Sequence, residues 1–198
     1  MIENAQQLRA AVNEAGGLIQ EISDYLAQHP EHQRIARLRF PRGYIRTAYY
    51  TRQRLEFVQN EVLRRNVSYA IMTHDVLRWL AFRTDIAGQA KEMLIKEAVC
   101  LIGTVCESIS IFPGEQGLGR NAGFRNRVRR LRDLNVLDDP AVELLEWLWD
   151  KRNQEHLYDL PFREWGHYVE ADWLRSVEAY QTLTGALREW RRNRQQRH

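Results

Sequence analysis

Three observations predict an all-α protein: a helical bundle of about seven helices, preceded by a basic N-terminal helical extension. Apolar residues recur at helical spacing over long segments. Only 5 prolines interrupt the 198 residues, a length sufficient to bury a real core. The stretch from Leu94 to Phe112 is apolar around most of a helical circumference, as expected of a helix buried on nearly every side.

The elements follow in order. Residues 2–28 predict a first helix, with Ile2, Leu8, Val12, Leu18, Ile19, Ile22 and Leu26 as an interrupted apolar stripe. Gly16-Gly17 should weaken or break it. His29-Pro30 and Phe40-Pro41-Arg42-Gly43 make 29–44 a basic loop. Residues 45–65 read as a basic helix, and 66–84 as another with a buried face of Val67, Ile71, Val76, Leu77, Leu80 and Phe82. Residues 87–112 form the predicted central helix, closed by Pro113-Gly114. Glu107 sits inside its apolar surround, where a carboxylate needs a partner or takes up a proton.

The loop from Pro113 to Gly123 carries Gly114, Gly117, Gly119 and Gly123. It lacks the Gly-Lys-Ser/Thr ending of a phosphate-binding loop and no strand precedes it, so it reads as a flexible connector. Residues 124–135 predict a short, very basic helix. Asp138-Asp139-Pro140 then starts a helix anchored by Val142, Leu144, Leu145, Leu148 and Trp149, expected to run to about Tyr158 before Leu160-Pro161. A last helix spans about 169–192 through Trp173, Leu174, Val177, Tyr180, Leu183 and Leu187. This divides the chain into an extension over 1–59 and a bundle over 60–198.

Net charge is only +3, but its distribution is uneven. Between Gln33 and Arg65 nine arginines stand against Glu56 and Glu61, and between Arg120 and Arg132 six arginines stand against no acid. Lys91, Lys96 and Lys151 are the only lysines among 29 basic residues. Such clusters attract polyanions or simply form solvated helix faces. Arg42 and Arg46 lie in a block that interleaves Arg with Phe40, Tyr44, Tyr49 and Tyr50, a pattern suited to phosphates and bases of single-stranded nucleic acid, or to a connector whose aromatics face the core.

Cys100 and Cys106 fall in one helix, where a rise of about 9 Å prevents a disulfide. The first residues lack the basic and apolar regions of a signal peptide, and the run Ala98 to Cys106 is too short to span a bilayer. A cytoplasmic protein without a membrane role is expected. No cofactor and no metal is expected either. His74-Asp75 is of the type that binds metal in phosphohydrolases, but no supporting His and Asp pattern accompanies it, which leaves a mid-helix polar pair. His29 and His32 flank a proline-interrupted turn without a third plausible ligand. Six tryptophans, four of them flanking residues 152–156 in sequence, belong to the core or to a subunit interface.

The constellation with a chemical reading is Arg152, Asn153 and His156, at the end of the apolar helix. Residues four apart lie about 40° apart around a helix, so Arg152 and His156 can address one place. Cleavage of RNA by its own 2′-hydroxyl requires a base, positive charge on the crowded phosphate and an acid for the leaving oxygen, and needs no metal. His and Arg supply these. The structural alternative pairs Arg152 with a buried acid and leaves His156 at the helix C-terminus, where a cation is favoured.

The order of a buried helix with embedded Glu107, a basic helix, and an apolar helix ending in Arg152-Asn153-Gln154-Glu155-His156 resembles the HEPN superfamily of small α-helical proteins over residues 60–190. The resemblance implies a metal-independent endoribonuclease of toxin–antitoxin or phage-defence type, with a composite site across a homodimer. By it, Arg152 stabilises the phosphate, His156 is the acid/base, Asn153 is the polar residue after the arginine, and Glu107 orients the arginine from the neighbouring helix. Arg125, Arg127, Arg129 and Arg130 would guide RNA or another nucleic acid, and an antitoxin-like protein is an expected partner. The chain departs from the family in having fewer residues between Arg and His, and one residue swings a side chain by about 100°. Non-catalytic members bind nucleic acid or protein, which is the competing expectation. A structural subunit of a larger assembly is a third.

Overall fold

A computed structural model describes residues 1–154 and 166–196. Among these it is all-helical: α1 (Ala5–Gln28), α2 (Ala48–Arg54), α3 (Glu61–Arg83), α4 (Gly88–Ile109), α5 (Phe124–Asp133), α6 (Asp139–Asn153) and α7 (Glu170–Gln195), with a 3-10 turn at Pro30–His32. No described helix is long and apolar enough to cross a membrane. The chain forms two compact units, Met1–Arg42 and Gly43–His198.

In the first unit, α1 runs unbroken through Gly16-Gly17, contrary to the expected weakening. Two glycines cost roughly 1 kcal/mol each, too little to interrupt 24 residues whose first turn is capped by Asn4 accepting from the Gln7 N–H at 2.9 Å. No residue of α1 is buried. Tyr25, His29 and His32 stack beside it.

The second unit begins earlier than the expected bundle at residue 60. Leu55, Phe57 and Val58 are buried, so α2 and the turn after it belong to the core. The expected division at 65/66 is absent, because Asn60 caps α3 by accepting from the Leu63 N–H at 3.0 Å. The core face of α3 carries Val67, Ile71, His74 and Asp75 at i, i+4, i+7 and i+8.

The central helix is α4, which packs against α3, α6 and α7. Ile95, Val99, Ile102, Cys106 and Ile109 are all buried. Burial pushes the Cys106 thiol far above its ordinary pKa and leaves it an inert hydrophobe. Beyond α4, Leu118 is buried and its carbonyl accepts from Phe112 N–H at 2.8 Å, so the glycine loop is anchored rather than a loose connector. Gly117 has φ +81°, and a Cβ there would meet Arg130 Cγ at 3.0 Å.

Asp138-Asp139-Pro140 starts α6 as expected, with the Asp138 carboxylate accepting from Ala141 N–H at 2.9 Å. The described helix ends at Asn153, where Gln154 turns its N–H to the Lys151 carbonyl at 3.2 Å; the expected run to Tyr158 lies outside the described residues. Trp173 is buried in the core, with Trp79, Trp147, Trp149 and Trp190 half-buried.

The α4–α6 crossing depends on Gly103. A Cβ at that position would stand 2.7 Å from Arg152 Cβ and 2.9 Å from Arg152 Cγ. The Arg152 Cβ is fixed by the α6 backbone, so Gly103→Ala forces the two helices apart. We expect destabilisation of about 1–3 kcal/mol, seen as a lower urea midpoint with unchanged slope. An unchanged midpoint would show that the crossing does not depend on the missing side chain.

Candidate functional site

Arg152 is the last-turn residue of α6 that reaches α4. Its stem lies over Gly103, and its Nη2 stands 3.5 Å from a carboxylate oxygen of Glu107, one turn further along α4. Both side chains are partly buried, which suits an embedded acid that requires a cation. The guanidinium carbon also lies 5.1 Å from the Trp149 ring, within cation–π range. Nη1 contacts the Asn153 side-chain oxygen at 3.4 Å. The buried Nε has no hydrogen-bond partner among the described residues. The arginine is thus held on two sides and keeps an unspent donor. His156 lies outside the described residues.

A second arginine fixes Glu107 from the backbone side. Arg127 is buried; it donates from Nε to Ser110 Oγ at 3.0 Å, from Nη2 to the Glu107 carbonyl at 3.2 Å, and from Nη1 to the Ala122 carbonyl. Burial lowers its pKa, and the Glu107 charge opposes that shift. This corrects the expectation that Arg127 guides nucleic acid: its guanidinium is enclosed and serves as a strut between α5 and the end of α4.

Three of the other four arginines of α5 face acids of α6. Arg125 pairs with Asp150, Arg129 Nε with Glu146 at 2.8 Å, and Arg132 with Asp139 at 3.6 Å. The ascending α5 numbers against descending α6 numbers define an antiparallel charge ladder. The block without acids in sequence therefore finds its acids across the helix pair. Arg130 donates to the Gln116 carbonyl at 3.2 Å. Arg42 is exposed in the first unit.

Arg46 has a different role from the expected nucleic-acid contact. It donates to Asp75 from Nε at 2.9 and 3.1 Å, from Nη2 at 2.7 Å, and from its backbone N–H at 2.8 Å. Asp75 is fully buried, with Arg78 at 3.7 Å as a further cation. Burial pushes the Asp75 pKa up, but the Arg46 hydrogen bonds and charge outweigh it and hold the carboxyl below its usual range. The same hydrogen bond raises the pKa of Arg46.

His74, beside it, is only 3% exposed and packs 4.8 Å from Trp173, ring to ring. Neither ring nitrogen has a hydrogen-bond partner among the described residues. Burial and the nearby Arg46 push its pKa down to about 4. The mid-helix polar pair of the sequence is thus a buried ion pair with a neutral imidazole next to it. In the first unit, His29, Glu31 and His32 each offer one ligand atom, all within 4.8 Å of one another, so Glu31 is the third group that the two histidines were expected to lack.

No family model, no curated protein and no solved structure matches the chain.

The burial of neutral His74 sets a pH dependence. Its folded pKa lies below the unfolded value of about 6.5, so its contribution is complete above that pH and falls away as pH drops toward 4, by on the order of 3 kcal/mol. The Asp75 pair is lost only at lower pH, below about 4. Urea melts at pH 7, 5.5 and 4.5 should show falling stability in the native protein and a flatter profile in His74→Gln. Parallel profiles would place the titrating group elsewhere.

Proposed function

We propose that this chain is a HEPN-like, RNA-directed protein acting as a metal-independent endoribonuclease. The observation that carries the reading is the Arg152–Glu107 pair: the last turn of α6 presents an arginine held by an acid of the buried neighbouring helix at 3.5 Å, its Nε without a partner among the described residues. An arginine so fixed suits stabilisation of charge on a phosphate without reorganisation during reaction.

In this proposal the RNA 2′-hydroxyl attacks the adjacent phosphorus and loses its proton to a base. The 5′-oxygen leaves with a proton from an acid, giving a 2′,3′-cyclic phosphate and a 5′-hydroxyl. Arg152 neutralises the crowded phosphate, and Glu107 orients Arg152. Asn153 accepts from the Arg152 guanidinium. His156 supplies acid/base chemistry, in a composite site formed by two copies of the chain. A toxin or phage-defence setting and an antitoxin-like partner belong to the same proposal.

A second reading is a non-catalytic HEPN-like module that binds nucleic acid or protein. Arg125, Arg129 and Arg132 are already paired with acids, which favours a protein partner over a polyanion.

The two are separated by incubating purified protein with mixed RNA in excess EDTA, beside Arg152→Ala and His156→Ala. The ribonuclease reading expects cyclic-phosphate ends from the native protein and at least a hundredfold less cutting by either variant, the typical scale for loss of an acid/base or charge-stabilising group. No cutting by any of the three, across several RNAs, overturns it in favour of the binding module.

A further inference from the structure

A cavity of about 260 Å³ opens between α2, α3 and α7, floored by Ile71 and by Ile102 of α4. It lies on the Ile102 side of α4, whereas Arg152 rests on the Gly103–Glu107 stripe. Arg46, Arg54 and Arg188 line it, and among the described residues no carboxylate does. The one buried acid nearby, Asp75, is taken by Arg46 with Arg78 beside it. Arg54 donates to the Tyr50 hydroxyl at 2.5 Å, and Arg188 donates to the Arg54 carbonyl at 3.0 Å. Neither has a carboxylate within ion-pair distance among the described residues, and each retains further N–H donors. The cavity therefore carries an excess of positive charge presented as guanidinium forks, the geometry that matches a phosphate.

Its inner wall has the opposite need. His74 lines the cavity while 3% exposed, and both its ring nitrogens lack partners among the described residues. A neutral imidazole has one donor and one acceptor, and a native fold rarely leaves both unanswered. A hydroxyl group can answer either nitrogen. Tyr180 adds a further phenol, whose pKa burial pushes up to about 12. The volume lies just below the range of about 300–1,000 Å³ for small-molecule pockets, and exceeds the roughly 30 Å³ of a single water many times over.

We propose that this cavity binds a small phosphate monoester with a hydroxyl-bearing body, of the sugar-phosphate class, its phosphate held by Arg54 and Arg188 and its hydroxyls reaching His74. The guanidiniums of the rim take the dianion, and the apolar floor and the imidazole take the body. The inference is independent of the ribonuclease reading, because it uses none of the residues of that site.

The test is calorimetric titration of the whole chain with ribose 5-phosphate, ribose and inorganic phosphate, with the histidine ring resonances followed by NMR. Ribose 5-phosphate should bind at least tenfold tighter than inorganic phosphate, ribose should not bind measurably, and the His74 resonances should shift on binding. Arg188→Gln, on the exposed face of α7, should weaken ribose 5-phosphate at least tenfold while the helical circular dichroism of the unliganded protein is retained. His74→Gln should reduce the preference over inorganic phosphate. No binding at millimolar ribose 5-phosphate overturns the proposal, as does equal affinity in the native protein and Arg188→Gln.

Discussion

Burial of α4 on three sides is the constraint to which the other elements answer. Where α3, α6 and α7 cover α4, its polar groups must be matched, because those faces are closed to water, while Glu97 and Thr104 stay exposed. Glu107 is matched twice: Arg152 meets its carboxylate and Arg127 meets its carbonyl. Gly103 clears the path for the Arg152 stem. The candidate site is therefore built from the same contacts that hold α4 against α6 and α5. Position and stability are coupled there, and a substitution at Glu107 or Gly103 acts on both.

The arginine-rich composition acquires a different meaning once the helices are assembled. In sequence, Arg120 to Arg132 has no acid; in space, α6 supplies Asp150, Glu146 and Asp139 along an antiparallel ladder. Arg127 turns inward, and Arg46 closes over Asp75. Exposed pairs of this kind add little stability, roughly 0–1 kcal/mol each. Their consequence is electrostatic: they cancel much of the field that the linear charge pattern promises to a polyanion. The cationic surfaces that remain are local rather than one continuous face of α5.

The legible parts of the fold were those written in local pattern. The circumferential hydrophobicity of 94–112 specified a buried helix, and Asp138-Asp139-Pro140 specified the start of α6. The ends were less legible, because a cap competes with periodicity: Asn60 starts α3 in the middle of a stretch that reads as one basic helix. Glu107 declared its need for a cation through its apolar neighbours. Gly103 declared nothing, since its role exists only where α6 crosses it. His74-Asp75 stood adjacent in sequence, but the group that defines them, Arg46, is 29 residues from Asp75 and reaches it only in the folded chain.

Guanidinium groups with unspent donors are therefore more informative than the count of arginines. Arg152 keeps a buried Nε without a partner among the described residues, and Arg54 and Arg188 keep donors at the rim of a cavity without a carboxylate. A buried donor left open costs stability, about 1–3 kcal/mol, and a fold that tolerates it carries a local defect a ligand can repair. Both settings rest on α4, one against Gly103 and the other against Ile102. Consecutive helical residues point about 100° apart, so neighbouring residues of one helix serve two arginine settings that are separate in chemistry.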